Sequence, residues 1–293
     1  MNTQCAPGKK FIDGSCLSIH DLVKILQLYY ETNNQPMPQL EEYNKPFLLH
    51  KVNHIMKNSA ECKDNDQVCW IESKMIADNQ DSDVNLIANE TFRPEGPDGK
   101  KKWLSTSHIN NVLLQYETKF PDFKFFGAVP YDFDNLQQLE IYNVDFDKLV
   151  QSGKTKIGMV INLDTHDMSG SHWVSLYADL LKNRIYFFDS FAQKPGKRLT
   201  KTIRNILNFM YNRTNNCKVV LTSYMCRVIK CNQYDIRFNK IRHQFKNSEC
   251  GVYSINFIIR LLNGESFNQI THNITKDDSM NACRGVYFRN FNK

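Results

Sequence analysis

The chain has 293 residues, 41% of them hydrophobic and 23% charged, a composition ordinary for a soluble protein and a length that buries a core in one large domain or two. Its longest apolar runs fall short of the roughly 18 residues that a bilayer-spanning helix needs, and no apolar stretch follows the polar start Met1 to Lys10, so neither a membrane span nor a signal peptide is expected. Charge is uneven: residues 1–92 hold 8 Lys, no Arg and 13 Asp plus Glu, a net −5, whereas residues 93–293 hold 29 basic and 18 acidic groups, a net +11.

This asymmetry predicts two units, 1–92 and 93–293, the second suited to an acidic protein or a nucleic acid, or simply presenting a solvated basic face. Nine cysteines are an odd number, and no pair has metal-ligand spacing; Cys62 and Cys69 lie too far apart for a zinc knuckle, with no His pair beside them. The expectation is free thiols in a reducing compartment, with no metal and no cofactor. Asn-x-Ser/Thr sequons at Asn89, Asn212 and Asn273 carry little weight in that setting.

In chain order, Leu22, Ile25, Leu26 and Tyr29 share one face of a helix over Ser18–Tyr30, with Ser18 and Asp21 as a capping box. Weaker helical patterns run over about 48–56 and 66–76. The Pro/Gly/Lys-rich stretch Phe92 to Lys102 is a hinge, and Ser105 or Ser107 caps a helix carrying Ile109, Val112, Leu113 and Tyr116. Strands are expected over 123–129, 156–163, 173–177, 184–188 and 219–221, with a hairpin turn at Lys182-Asn183. A basic amphipathic helix over 197–211 turns Leu199, Ile203, Ile206, Leu207 and Met210 inward. The segment 224–242 gives no clear pattern. Ile255, Ile258, Ile259 and Leu262 form a buried helix ending near Gly264, and a last helix runs from Thr275 towards Arg289.

Chemistry gathers at three places. Cys250 sits where a polar loop enters that apolar helix, a position whose dipole and free amides favour a thiolate, and Gln244 offers a neutral amide donor six residues earlier. If the strands at 173–177 and 184–188 pair as a hairpin, His172 at the start of one lies beside Asp189 at the end of the other. That is the geometry an acid–base histidine needs. His166 and His243 remain open as the base, and Asp164, Asp167 and Asp179 as its orienting group, although neighbours on a strand face opposite ways and His243 adjoins Gln244.

The order His172-Trp173, then Phe188-Asp189-Ser190, then Gln244-Phe245-Lys246-Asn247-Ser248-Glu249-Cys250-Gly251 resembles the Ulp1-like cysteine proteases, which process ubiquitin-like modifiers and some viral polyproteins. Trp103-Leu104 with Ile109 is similar to the start of that family's catalytic domain. Ser15-Cys16-Leu17-Ser18, Phe92 to Pro97 and Ile241-Arg242-His243-Gln244 resemble the polyprotein-processing maturation proteases of large cytoplasmic DNA viruses, of the African swine fever virus type. In that viral type the group orienting the histidine is an asparagine; Asp189 follows the cellular pattern.

The resemblance implies an α+β fold of Ulp1/adenain type: a mixed central sheet packed by helices, the catalytic cysteine at a helix N-terminus, and a helical N-terminal arm. It implies Cys250 as nucleophile, His172 as base, Asp189 as its orienting partner and Gln244, with the Cys250 amide, as oxyanion donor. Trp103, Trp173, Asn247 and Gly251 are implied at the substrate, the two indoles covering a tunnel that admits glycine. The implied activity is endopeptidase cleavage after Gly-Gly-type sites of a viral structural polyprotein, in a host-cell viral factory and in the virion. Alternatives are an isopeptidase acting on SUMO- or ubiquitin-like precursors, an acyltransferase using the same triad, and a basic scaffold that contacts nucleic acid.

Overall fold

The computed structural model describes residues 4–58, 62–73, 82–214, 219–222, 225–228 and 234–291. They fall into two compact units, Met1–Glu95 with Tyr287–Asn292, and Gly96–Val286. Charge patterning does not foresee the return of the C-terminal segment to the first unit. Arg289 secures it there, its amide donating to the Pro94 carbonyl at 3.1 Å and its guanidinium meeting Glu72 at 2.6 Å.

In the first unit, α1 (Ile19–Thr32) opens on the expected box: Ser18 Oγ accepts from the Asp21 amide at 3.1 Å, and Asp21 Oδ2 from the Ser18 amide at 2.7 Å. Helix α2 (Lys45–Asn58) buries Leu48, Val52 and Met56. Helix α3 (Gln67–Glu72), capped by Asp66, buries Trp70 and Ile71; residues 74–76 of the expected helix lie outside the described residues. Helix α4 (Ser82–Thr91) falls where no pattern pointed to one. The free-thiol expectation is corrected here, because Cys5 is bonded to Cys16 and Cys62 to Cys69. Spacing hides both pairs: the chain folds Cys5 onto Cys16 beside α1, and a tight loop closes Cys62 onto α3. Among the described thiols, Cys250 and Cys283 are free.

The second unit begins with α5 (Thr106–Lys119), whose Ser105 cap exchanges hydrogen bonds with His108. A five-stranded mixed sheet follows, ordered β1-β2-β3-β4-β7. Its strands are β1 (Phe123–Val129), β2 (Lys156–Asn162), β3 (Trp173–Asp179), β4 (Arg184–Phe188) and β7 (Asp235–Phe238), with short α6 (Phe146–Gln151) before β2. The outer pairs β1–β2 and β4–β7 are parallel, while β2–β3 and β3–β4 are antiparallel. Gly127, at φ +95°, takes the irregularity in the β1–β2 register, a bulge that an L side chain resists. A separate hairpin pairs β5 (Val219–Thr222) with β6 (Met225–Val228). In the unpatterned segment 224–242, β6 and β7 are short, and residues 229–233 are outside the description.

Alternation along the strands sorts two faces. Ile157, Met159, Leu176, Ile185 and Phe187 join Leu199, Ile206, Leu207 and Met210 of α7 (Lys197–Thr214) in one core, with Ile203 only partly buried. On the other face lies α8 (Cys250–Leu262), apolar almost all round and nearly wholly buried; its Phe257 ring stacks on Phe188 of β4 at 4.9 Å. Helix α9 (Phe267–His272) precedes the C-terminal segment, where the expected single helix is instead α10 (Asp277–Ala282) and α11 (Arg284–Tyr287). The break coincides with Arg284, which turns inward, fully buried, and donates Nη2 to the Ser248 carbonyl at 3.0 Å. Among the described residues no helix is long and apolar enough to cross a membrane.

Candidate active site

The site is assembled at the end of the β3–β4 hairpin. Those strands pair as Ser175↔Phe188, and continuing that register past the strand ends brings His172 level with the residues leaving β4. His172 Nε2 lies 2.6 Å from Asp189 Oδ1, both groups buried. A carboxylate acceptor fixes the proton on Nε2, which leaves Nδ1 for the Cys250 thiol, the ring's other hydrogen-bond partner. Burial opposes a charged imidazole there, but the hydrogen bonds and charges of Asp189 and Cys250 outweigh it and raise His172 to about 9. At neutral pH the ring is therefore an imidazolium beside sulfur.

Cys250 is the first residue of α8, and its N-cap, Glu249, makes no side-chain capping bond. The first-turn amides are thus left uncapped, at the positive end of a 13-residue helix. Asp189 is held on all sides. Its Oδ1 also accepts from the Phe191 amide at 2.8 Å and its Oδ2 from the Gln193 amide at 3.2 Å. Asn239 braces its backbone twice, accepting from the Asp189 amide at 2.9 Å and donating to its carbonyl at 2.7 Å.

Gln244 reaches the same place through Ser190. The Ser190 hydroxyl donates to Gln244 Oε1 at 2.7 Å, and the Ser190 carbonyl accepts from the Gln244 amide at 3.0 Å. One N–H of the Gln244 side-chain amide goes to the Lys246 carbonyl at 2.7 Å, and its second hydrogen remains. Trp173 is buried and donates Nε1 to the Leu104 carbonyl at 3.0 Å. Leu104 in turn packs on Gly251, where an added Cβ would meet Leu104 Cβ at 3.1 Å. Trp103, next to that anchored carbonyl, is 46% exposed. Asn247 is exposed, and no hydrogen bond ties it to these groups.

The rival candidates are engaged elsewhere. His243 is buried between Phe188 and Tyr253, with Nε2 3.1 Å from the Thr271 carbonyl, and burial pushes its pKa down. His166 pairs with Asp132 at 2.6 Å. Asp164 accepts from Ser171, Asp167 from Thr165, and Asp179 caps the hairpin turn through the Lys182 amide.

Sequence reasoning missed the supports. Ser190 and Asn239 gave no signal beyond turn chemistry. Phe191, whose ring stacks on His172 at 4.4 Å and 13°, was accessible in principle, because the hairpin register sets it opposite His172. Arg242 also lies over the Phe191 ring, 4.9 Å from its centroid. A thiol, an imidazolium oriented by a buried carboxylate, and amide donors at a helix start together make an arrangement for nucleophilic acyl transfer.

Residues 153–290 match the Ulp1 protease family, C-terminal catalytic domain. A thiol protease of Acanthamoeba polyphaga mimivirus is 36% identical over 225 residues, 77% of this chain and 69% of that protein. A SUMO-1 cysteine protease of African swine fever virus is 21% identical over 230 residues, 74% of this chain and 78% of the other. The crystal structure of an African swine fever virus protease shares the fold, with a TM-score of 0.65 at 19% identity, covering 99% of this chain and 96% of that one. With its mixed sheet, buried cysteine-bearing helix and helical N-terminal region, the chain belongs to the Ulp1 family and is a cysteine protease.

Proposed function

We propose that Cys250, His172, Asp189 and Gln244 are the catalytic machinery of an endopeptidase that cleaves after Gly-Gly-type sites in a viral polyprotein. The observation that carries the roles is the buried chain of contacts from Asp189 through His172 to Cys250. Cys250 sulfur attacks the scissile carbonyl and forms the new C–S bond. The carbonyl oxygen takes the negative charge, facing the Cys250 amide and the second amide hydrogen of Gln244. As the C–N bond breaks, the His172 imidazolium gives its proton to the leaving amine. The neutral ring then takes a proton from water, which attacks the thioester and frees the acid and Cys250. Asp189 keeps the ring in one tautomer throughout.

Glycine preference is supported by the crowding around Trp173, Leu104 and Gly251, with Trp103 exposed beside them. A narrow approach to Cys250 would favour residues without a side chain. Polyprotein processing draws support from the viral origin of the relatives and from the disulfide-bonded helical N-terminal region. Its setting would be the viral factory and the virion, and the disulfides favour the virion over a reducing cytoplasm. A second reading, processing of a SUMO-type precursor, is favoured by the name of the African swine fever virus relative.

The test presents two substrates to wild type and Cys250→Ala, with products read by mass spectrometry. One is a flexible linker containing Gly-Gly-x between folded tags, the other a SUMO-type precursor. Cutting of the linker after Gly-Gly, absent in the variant, is the expected result. Cutting of the precursor alone would replace polyprotein processing with modifier processing.

A further inference from the structure

The outer part of the Phe191 stack is used by none of the steps above. Arg242 is exposed and clamped between two rings, its guanidinium carbon 4.9 Å from the Phe191 centroid and 5.0 Å from that of Phe245. Its Nε donates to the Gln244 carbonyl at 2.6 Å, which fixes the plane of the guanidinium. Both terminal nitrogens lack hydrogen-bond partners among the described residues, so they present a free fork. Phe245 is 68% exposed, yet it is not on a fraying tip. Its amide donates at 2.9 Å to Oδ2 of the buried Asp277, as does that of Lys246 at 3.0 Å. The carboxylates nearby on α10 are therefore occupied, Asp277 by these amides and Asp278 by the Lys246 ammonium.

A large aromatic held rigidly in solvent against a half-satisfied guanidinium is a built surface for a ligand. Its place follows from the chemistry. His172 must protonate the leaving amine, so the departing half of the substrate passes on the His172 side of Cys250. Phe191 stacks on that ring at 4.4 Å, and the guanidinium carbon lies 4.9 Å from the Phe191 centroid, which puts it within about 9 Å of the imidazole. An extended chain advances about 3.3 Å per residue, so the fork is within reach of the first two or three residues of the departing half. The net charge of +11 over residues 93–293 favours an acidic partner for this unit.

We propose that Phe191, Arg242 and Phe245 form a substrate subsite on the leaving-group side, which receives an acidic side chain two or three residues beyond the scissile bond. The carboxylate meets the Arg242 fork, and the substrate backbone lies along the Phe245 ring. This subsite rests on the proteolytic reading of Cys250.

The test uses three Gly-Gly linker substrates that differ only at the second and third positions after the cut: Glu-Glu, Gln-Gln and Lys-Lys. For wild type, kcat/KM is expected to be about tenfold higher for Glu-Glu than for Lys-Lys, with Gln-Gln between, and the gap should shrink at about 0.5 M salt. Arg242→Glu should reverse the order. Equal rates on all three substrates would overturn the subsite while leaving the proteolytic reading intact, and so would an Arg242→Glu enzyme that still prefers Glu-Glu. The wild-type comparison decides the matter even if the variant folds poorly. Failure to cut any of the three would overturn the reading of an endopeptidase acting after Gly-Gly and the subsite with it.

Discussion

Cys250→Ala is expected to lower kcat by a factor on the order of 10⁵–10⁶, to the level of the remaining binding groups. Among the described residues the remaining free thiol is engaged elsewhere. Cys283, the other free thiol among the described residues, donates at 3.4 Å to a carbonyl four residues back, and burial pushes its pKa up. Folding should survive the change. Cys250 is the first residue of α8 and is 3% exposed, so alanine loses only a small buried sulfur at a position where its helix propensity is good. Turnover and the thermal unfolding midpoint, measured on the same sample, separate the two effects. An unchanged midpoint with no product is the expected pair of results, and residual turnover above about 1% would mean that another nucleophile does the chemistry.

Asp189→Ala should cost about 10³–10⁴ in kcat, a larger loss than Asp189→Asn. The carboxylate serves three donors: His172 Nε2 and the Phe191 and Gln193 amides. Alanine orphans all three in a buried setting, at about 1–3 kcal/mol for each unsatisfied group, so part of its loss comes from the fold. Asparagine can keep Oδ1 on His172 and the Phe191 amide and sacrifices only the contact to Gln193, so it should retain about 1–10% of wild-type kcat. It also removes the negative charge that helps to raise His172. The imidazolium persists below the pKa of His172 and is lost as pH rises through it. The wild-type rate should therefore fall above about pH 9. In Asp189→Asn the falling limb should move to lower pH. A pH profile of kcat/KM for both enzymes reads this directly; superimposable alkaline limbs would remove Asp189 from the control of His172.

Legibility in the sequence varies by element. The buried helix ending near Gly264 and the strands at 123–129, 173–177 and 184–188 announce themselves, because their apolar residues follow one period with turn residues at the ends, although β3 runs on to Asp179. The pairing of His172 with Asp189 followed from one hairpin, since a short turn sets the register and the register sets the neighbours. What stayed hidden depends on long-range closure. Asn239 reaches Asp189 across 50 residues and Ser190 reaches Gln244 across 54, and no local pattern encodes either contact. The disulfides were missed because an odd number of cysteines in an ordinary composition read as free thiols, whereas the fold brings Cys5 to Cys16 and Cys62 to Cys69. The acidic start of the C-terminal segment predicts one helix, but Asp277 is drawn away to hold the 245–246 amides and Arg284 turns into the core.

Activation of the Cys250 sulfur by the His172 imidazolium can be read from site-resolved alkylation. Iodoacetamide modification of each cysteine would be followed by mass spectrometry from about pH 5 to 10, in wild type and in His172→Ala. Access alone favours Cys283, which is partly exposed, over the buried Cys250. The opposite order is expected near pH 6: Cys250 reacts first, and its advantage disappears in His172→Ala. Faster modification of Cys283 at that pH, or a Cys250 rate unchanged by the loss of His172, would contradict it.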